Sequence, residues 1–311
     1  MNRARVSGGE LAYLDEGEGP PIVLLHGFPL SSLMWREFMP VLSSRFHVVA
    51  PDLLGTGESA KPSDAPLGIA AQAGYVRELL GALGVDRFAA IGHGVGGGVA
   101  QLLAREGSLD AMVLLDSVAF DAWPSAPTRD LQATTPDQRK PEIVRAVVRS
   151  EFDLGMGYPT RLTDDMFAAY ARPWEGEAGA DAFFRWVAAI DGAGLEGAAG
   201  WLAETEFPVL ILWGEEDTFQ PVASAERLND AIPTSTLGLL PGCGHFITED
   251  APETIAPMIY EYLRARYLKE PHGHASEGIV TIQLERRPPW VDLAEYEEDD
   301  RLSGDDEEDE E

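Results

Sequence analysis

Six short apolar runs constrain what this chain can become. They are Pro21–Leu25, Phe46–Ala50, Phe88–Ile91, Met112–Leu115, Val209–Trp213 and Thr236–Leu240, and each ends in glycine or polar residues. Apolar runs of strand length suit strands buried on both faces, as in a parallel sheet. Between them lie helical candidates at Leu33–Leu42, Ile69–Leu83, Gly96–Glu106, Ala223–Ala231 and Pro252–Tyr267. Such alternation predicts an α/β fold with a mostly parallel, doubly wound sheet. Residues 120–206 break the rhythm, because they are too long for a simple crossover. Amphipathic stretches near Lys140–Glu151, Thr163–Ala171 and Ala180–Asp191 make this segment a helical cap inserted between two strands. The expected organisation is a core of residues 1–119 and 207–270, a cap of 120–206, and a tail of 271–311.

Charge narrows the function classes. The 311-residue chain has a net charge of −30. Residues 271–311 carry 15 acidic and 3 basic side chains, a net of −12, which leaves −18 on the rest. Nucleic-acid binding and docking on anionic lipid both need a basic face, so neither is expected. The closing run Gly304–Glu311 repels itself and cannot build a core, which predicts disorder there. Its minority reading is a contact for a basic partner. Gly278–Arg286 alternates apolar and polar residues like a short strand. The lone Cys243 forbids an intrachain disulfide, and the N-terminus has no apolar core of signal-peptide length. A cytoplasmic protein is therefore expected. Nothing in the motifs calls for a cofactor or a metal.

Five motifs follow the apolar runs. Leu25–His26–Gly27–Phe28–Pro29 comes first, then Asp52–Leu53–Leu54–Gly55–Thr56–Gly57–Glu58–Ser59. Gly92–His93–Gly94–Val95–Gly96 lies between a strand and a helix, and its small residues let the two meet at a sharp turn. Trp213–Gly214–Glu215–Glu216–Asp217 and Gly242–Cys243–Gly244–His245–Phe246 complete the set.

In this order the motifs resemble the α/β-hydrolase family over about Gly8 to Tyr267. The likeness is greatest to its cap-bearing branch of epoxide hydrolases, haloalkane and fluoroacetate dehalogenases and related esterases. The resemblance implies Asp217 as triad acid and His245 as triad base. It implies oxyanion-hole N–H groups from Phe28 and Val95, with His26 and Asp52 shaping loops. The departure is Gly94. Relatives carry serine, aspartate or cysteine at the centre of the G-x-Nuc-x-G elbow. Glycine offers no atom for a covalent intermediate. Haloalkane dehalogenases often place tryptophan after the nucleophile, and fluoroacetate dehalogenases arginine. Val95 stands there in this chain, which disfavours dehalogenation.

Blander readings stand beside the sharp ones. His93 reads as a packing residue under the elbow, and Cys243 as a small buried thiol rather than a relocated nucleophile. Ser31, Ser32 and Ser59 read as turn or capping residues. The cap is rich in aromatic residues, most of them needed for packing, and Trp123, Trp174 and Trp186 are candidates to line an apolar pocket. A mainly apolar cavity is expected between cap and sheet beside Gly94 and His245. The leading expectation is a hydrolase of an apolar small molecule, in which His245 held by Asp217 activates water. The alternatives are a binding protein without catalysis, or a lyase or isomerase using His245 for proton transfer.

Overall fold

A computed structural model describes residues 1–191 and 193–269. The expected strand at Gly278–Arg286 and the acidic end at Gly304–Glu311 lie outside them. Among the described residues eight strands form one sheet: β1 Asn2–Val6, β2 Gly9–Glu16, β3 Pro21–Leu25, β4 His47–Pro51, β5 Phe88–His93, β6 Leu109–Leu115, β7 Val209–Gly214 and β8 Ser235–Leu240. Their order is β1-β2-β4-β3-β5-β6-β7-β8. The pairings β1–β2 and β2–β4 are antiparallel, and all others are parallel. All six apolar runs became strands. The parallel ones are buried almost throughout, with Val23, Leu24, Ile91, Val113 and Ile211 fully enclosed.

The first two strands are additions to the sequence reading. Val6 pairs with Gly9 across a two-residue Ser7–Gly8 turn, a hairpin geometry that glycine favours. β1 is mostly exposed, so it shows no apolar run.

Helices α1 Met39–Leu42, α2 Ile69–Ala82 and α3 Val95–Arg105 precede the long connection. That connection joins β6 to β7 and folds into α4 Ala126–Gln132, α5 Pro141–Gly155, α6 Asp164–Ala171, α7 Gly176–Ala189 and α8 Ala198–Leu202. Helices α9 Val222–Ala231, α10 Ile247–Asp250 and α11 Pro252–Arg266 follow. The single helix expected over Leu33–Leu42 is instead a 3₁₀ turn, Ser32–Trp35, and the short α1. Pro40 explains the break, because proline is tolerated in the first turn of a helix but not in its interior. No helix among the described residues is long and apolar enough to cross a membrane.

The strand order places the site. The chain runs from β3 outward to β4, then returns past β3 to β5. Ligands of open parallel sheets bind at such reversals, outside the carboxyl ends of the strands. The loop after β3 and the turn from β5 into α3 meet there. A Cβ on Gly96 would overlap the carbonyls of Leu25 and His26, so glycine lets α3 start directly against the end of β3.

This packing yields a paired prediction. Gly96→Ala should destabilise by about 1–3 kcal/mol or more, since backbone cannot retreat as a side chain can. Gly81→Ala should stabilise by about 0.5–1 kcal/mol, because Gly81 is an exposed position of α2 with nothing near its absent Cβ. Thermal melts check both; equal shifts would show that the elbow is not tightly packed.

Candidate active site

Gly94 turns β5 into α3 with φ 54° and ψ −122°, a conformation that glycine takes freely and other residues take at a cost. A Cβ built there would stand 3.4 Å from His245 Nε2 and 3.5 Å from Gly27 Cα. The position therefore faces the imidazole at ordinary contact distance. Val95 is the first residue of α3, so its N–H has no partner within the helix. Among the described residues, neither Val95 N–H nor Phe28 N–H meets a protein acceptor.

The loops after β7 and β8 bring the acid and base candidates together. His245 Nδ1 donates to Asp217 Oδ2 at 2.9 Å, and the Asp217 side chain is wholly buried. The other oxygen, Oδ1, accepts the N–H groups of Phe219 and Gln220 at 2.8 and 2.9 Å. Both carboxyl oxygens are thus engaged, which fixes the imidazole. With Nδ1 carrying the proton, Nε2 presents a lone pair toward Gly94.

Other groups hold this frame. His93 Nε2 donates to the His245 carbonyl at 2.8 Å beneath the turn. Burial, then the nearby His245, pulls its pKa down to about 3, so it is a neutral structural donor. His26 Nε2 accepts the Leu53 N–H at 2.9 Å, while its Nδ1 donates to the Gly27 carbonyl. Asp52 accepts the N–H groups of Ser32 and Glu58, both at 2.7 Å. Ser31 caps the 3₁₀ turn, and Ser59 Oγ bridges Asp52 and Ala12. Cys243 is buried away from the cavity, and burial followed by the charges of Asp250 and Asp116 pushes its thiol up.

A cavity of about 50 Å³ opens beside these groups, room for a few water molecules. Gly94, Val95, Phe28 and His245 line it from the core, and Trp123, Glu151 and Ile190 from the inserted helices. The expected cavity is therefore present but small. His245 is only 7 % exposed, and a cavity of about 710 Å³ lies at the opposite, amino ends of the strands beside Arg87, Leu109 and Pro208. Aromatic packing is the reason. The Phe28 ring lies 5.0–5.7 Å from those of Trp174, Phe183 and Trp186. Trp174 and Trp186 therefore do not line the cavity. Their indole N–H groups donate to the carbonyls of Pro29 and Leu54, each at 2.9 Å, which pins the insert onto the core.

Three acidic residues escaped the sequence reading. Asp250 accepts N–H groups from Gly157, Tyr158 and Gly244 at 2.8–2.9 Å, and so clamps the His245 loop to the insert. Asp116, at the end of β6, accepts the Gly214 N–H at 2.8 Å and leaves Oδ2 without a partner. Burial, then the charge of Asp217, raises its pKa well above the usual carboxylate range. Glu151 on α5 lines the cavity, and burial raises it to about 7. Its signal was the helical register: it follows buried Val148 by three residues and Val144 by seven.

The family model for the alpha/beta hydrolase fold matches residues 20–252. Haloalkane dehalogenase 2 of Mycobacterium tuberculosis is 33% identical over 266 residues, covering 82% of this chain and 92% of the relative. Soluble epoxide hydrolase of a Corynebacterium species is 27% identical and covers 82% of this chain and 93% of its own. A crystal structure of an alpha/beta hydrolase fold protein from Burkholderia ambifaria superposes with a TM-score of 0.78 at 31% identity, over 84% of this chain and 97% of that one.

Glu151 leads to a pH prediction. Its carboxyl ordinarily titrates near 4.5, and in the fold near 7. Between these values the folded state binds more protons than the unfolded state. Stability should therefore fall as pH rises from about 4.5 to 7 and level off above that. Glu151→Gln should flatten this decline and raise the melting temperature at pH 8 more than at pH 5. Parallel melting curves for wild type and variant would refute the assignment.

Proposed function

This chain belongs to the alpha/beta hydrolase family, and on that premise we propose that it hydrolyses a small apolar molecule by direct attack of water. His245 is the general base, Asp217 orients it, and Gly94 stands where active relatives carry their nucleophile. The observation that carries this reading is the 3.4 Å between His245 Nε2 and a Cβ built on Gly94. The base faces a position that offers no side chain, and a water there would meet its lone pair.

The mechanism follows from the groups around that position. Nε2 takes a proton from water as its oxygen attacks a carbonyl carbon. The N–H groups of Phe28 and Val95 receive the developing oxyanion, aided by the positive end of α3. General-base assistance contributes about 10²–10⁴-fold and each oxyanion donor about 10²–10³-fold, so slow but real turnover is physically reasonable. The largely apolar walls, with Trp123, Ile190 and Phe246, favour an apolar substrate. Given the closed cavity, entry of anything larger than a few waters requires the inserted helices to part from the core. The chemistry differs from that named in the dehalogenase relative, because Gly94 has no atom to displace a halide.

One observation favours a second reading, a binding protein without turnover: His245 is nearly enclosed. Mutagenesis separates the two. Gly94→Ser should gain activity on p-nitrophenyl butyrate and show an acyl-enzyme mass, at a cost of about 1–3 kcal/mol from strain at the turn. His245→Ala should abolish wild-type turnover. Failure of the serine variant to gain activity, with His245→Ala unchanged from wild type, would put the binding reading first.

A further inference from the structure

Among the described residues Glu151 is the one carboxyl on the wall of this cavity, and the mechanism above does not use it. It enters from α5, whose C-terminal end packs on the loop that supplies His245: Gly155 accepts the Phe246 N–H, and the Phe152 ring lies 4.9 Å from that of Phe246. The surrounding wall is largely apolar, with Trp123, Ile190 and Phe246. Among the described residues its carboxyl makes no hydrogen bond. Glu151 is half-buried, and a carboxyl so placed without a structural partner is costly to keep. Asp217, Asp250 and Asp52, by contrast, each accept backbone N–H groups.

We propose that Glu151 is the general acid of the reaction, protonating the leaving oxygen of an unactivated alkyl ester. This rests on the reading of His245 as base. Water forms a C–O bond to the carbonyl carbon and gives its proton to His245 Nε2. The bond to the alkoxy oxygen then breaks, and that oxygen takes the Glu151 proton. An acid and an alcohol leave, and the proton on His245 returns through water to the Glu151 carboxylate. No oxidant or further reactant is needed. Base and acid thus come from two elements, the loop after β8 and α5, that line the one cavity. Burial raises Glu151 to about 7, so a large share of the molecules carry its proton at neutral pH. Protonation of His245 then lowers the pKa of Glu151, so the base step prepares the acid step.

The groups around Glu151 leave His245 as its charged counterpart. On the same helix, Arg145 and Arg149 stack on Phe167, while Glu142 and Asp153 are exposed. On α6, Asp164 and Asp165 are exposed, and so are Glu177 and Asp181 on α7. Arg185 binds the carbonyls of Pro62 and Ala65, Arg172 binds Glu58, and Arg129 binds the Pro124 carbonyl. Asp130 on α4 is exposed, and Asp217 is turned to His245.

The test compares ethyl butyrate with p-nitrophenyl butyrate, which share an acyl group but differ in how much their leaving groups need a proton. For ethyl butyrate, Glu151→Gln should lower kcat by about 10²–10⁴-fold. That loss should exceed the loss on the nitrophenyl ester by at least about 10²-fold. Wild-type activity on the ethyl ester should decline above pH 7, and the variant should lack that decline. Equal losses on the two esters, with His245→Ala still inactive, would overturn the acid role and leave the base reading standing. Turnover that survives His245→Ala, or a wild type inactive on both esters, would remove the base reading and this inference together. Infrared difference spectra keep the proposal testable without turnover. A protonated-carboxyl band present at pH 6, lost near pH 8 and missing from Glu151→Gln supports it, and no such difference overturns it.

Discussion

The hydrogen bond from His245 Nδ1 to the buried Asp217 is the contact around which this molecule is organised. Two separate strand ends, of β7 and β8, must be in register for it to form. Much of the neighbouring polar structure serves that register. Backbone N–H groups hold one oxygen of Asp217, His93 holds the His245 carbonyl, and Asp250 ties the same loop to the insert. Each is a buried polar group that would be costly if unpaired, so the network specifies one arrangement rather than simply adding stability. The imidazole is consequently presented in one tautomer and one direction, toward Gly94.

The insert is coupled to this frame in two chemically different ways. Near Phe28 the contact is aromatic, with tryptophan N–H groups reaching carbonyls on the core. Near α10 it is polar: Tyr170 on α6 donates to Glu249, which a two-pronged pair with Arg36 holds within the core. Both fasten the helices over the strand ends and leave little free volume between. The same packing that keeps bulk water from His245 strengthens electrostatic interactions inside the cavity, and it places Glu151 where ionisation is opposed.

Much of this was legible in the sequence, for reasons that also explain what was not. The parallel strands announced themselves because burial on both faces demands continuous apolar runs, as in Val209–Gly214. The five loops followed because glycine and small polar residues must sit where such strands end. β1 was silent because an exposed edge strand needs no apolar pattern. Asp217 and His245 were legible through their motifs. Glu151, Asp116 and Asp250 were not, because an acidic residue in a helix or loop reads as solvated until the fold encloses it. Trp174 and Trp186 were misplaced for a related reason. Aromatic content locates an apolar layer but cannot say which rings fill space and which leave it open.

The account turns on whether water attacks substrate directly, without a covalent stage on the protein. Wild-type protein in excess should be mixed with p-nitrophenyl butyrate in ¹⁸O-water and quenched during the first turnover. Intact-mass analysis of the protein and of the released butyrate then reads both partners at once. The account predicts that all label enters the butyrate and that the protein mass never changes. A butyryl adduct on the protein during that turnover, or ¹⁸O incorporated into a side chain after it, would contradict it.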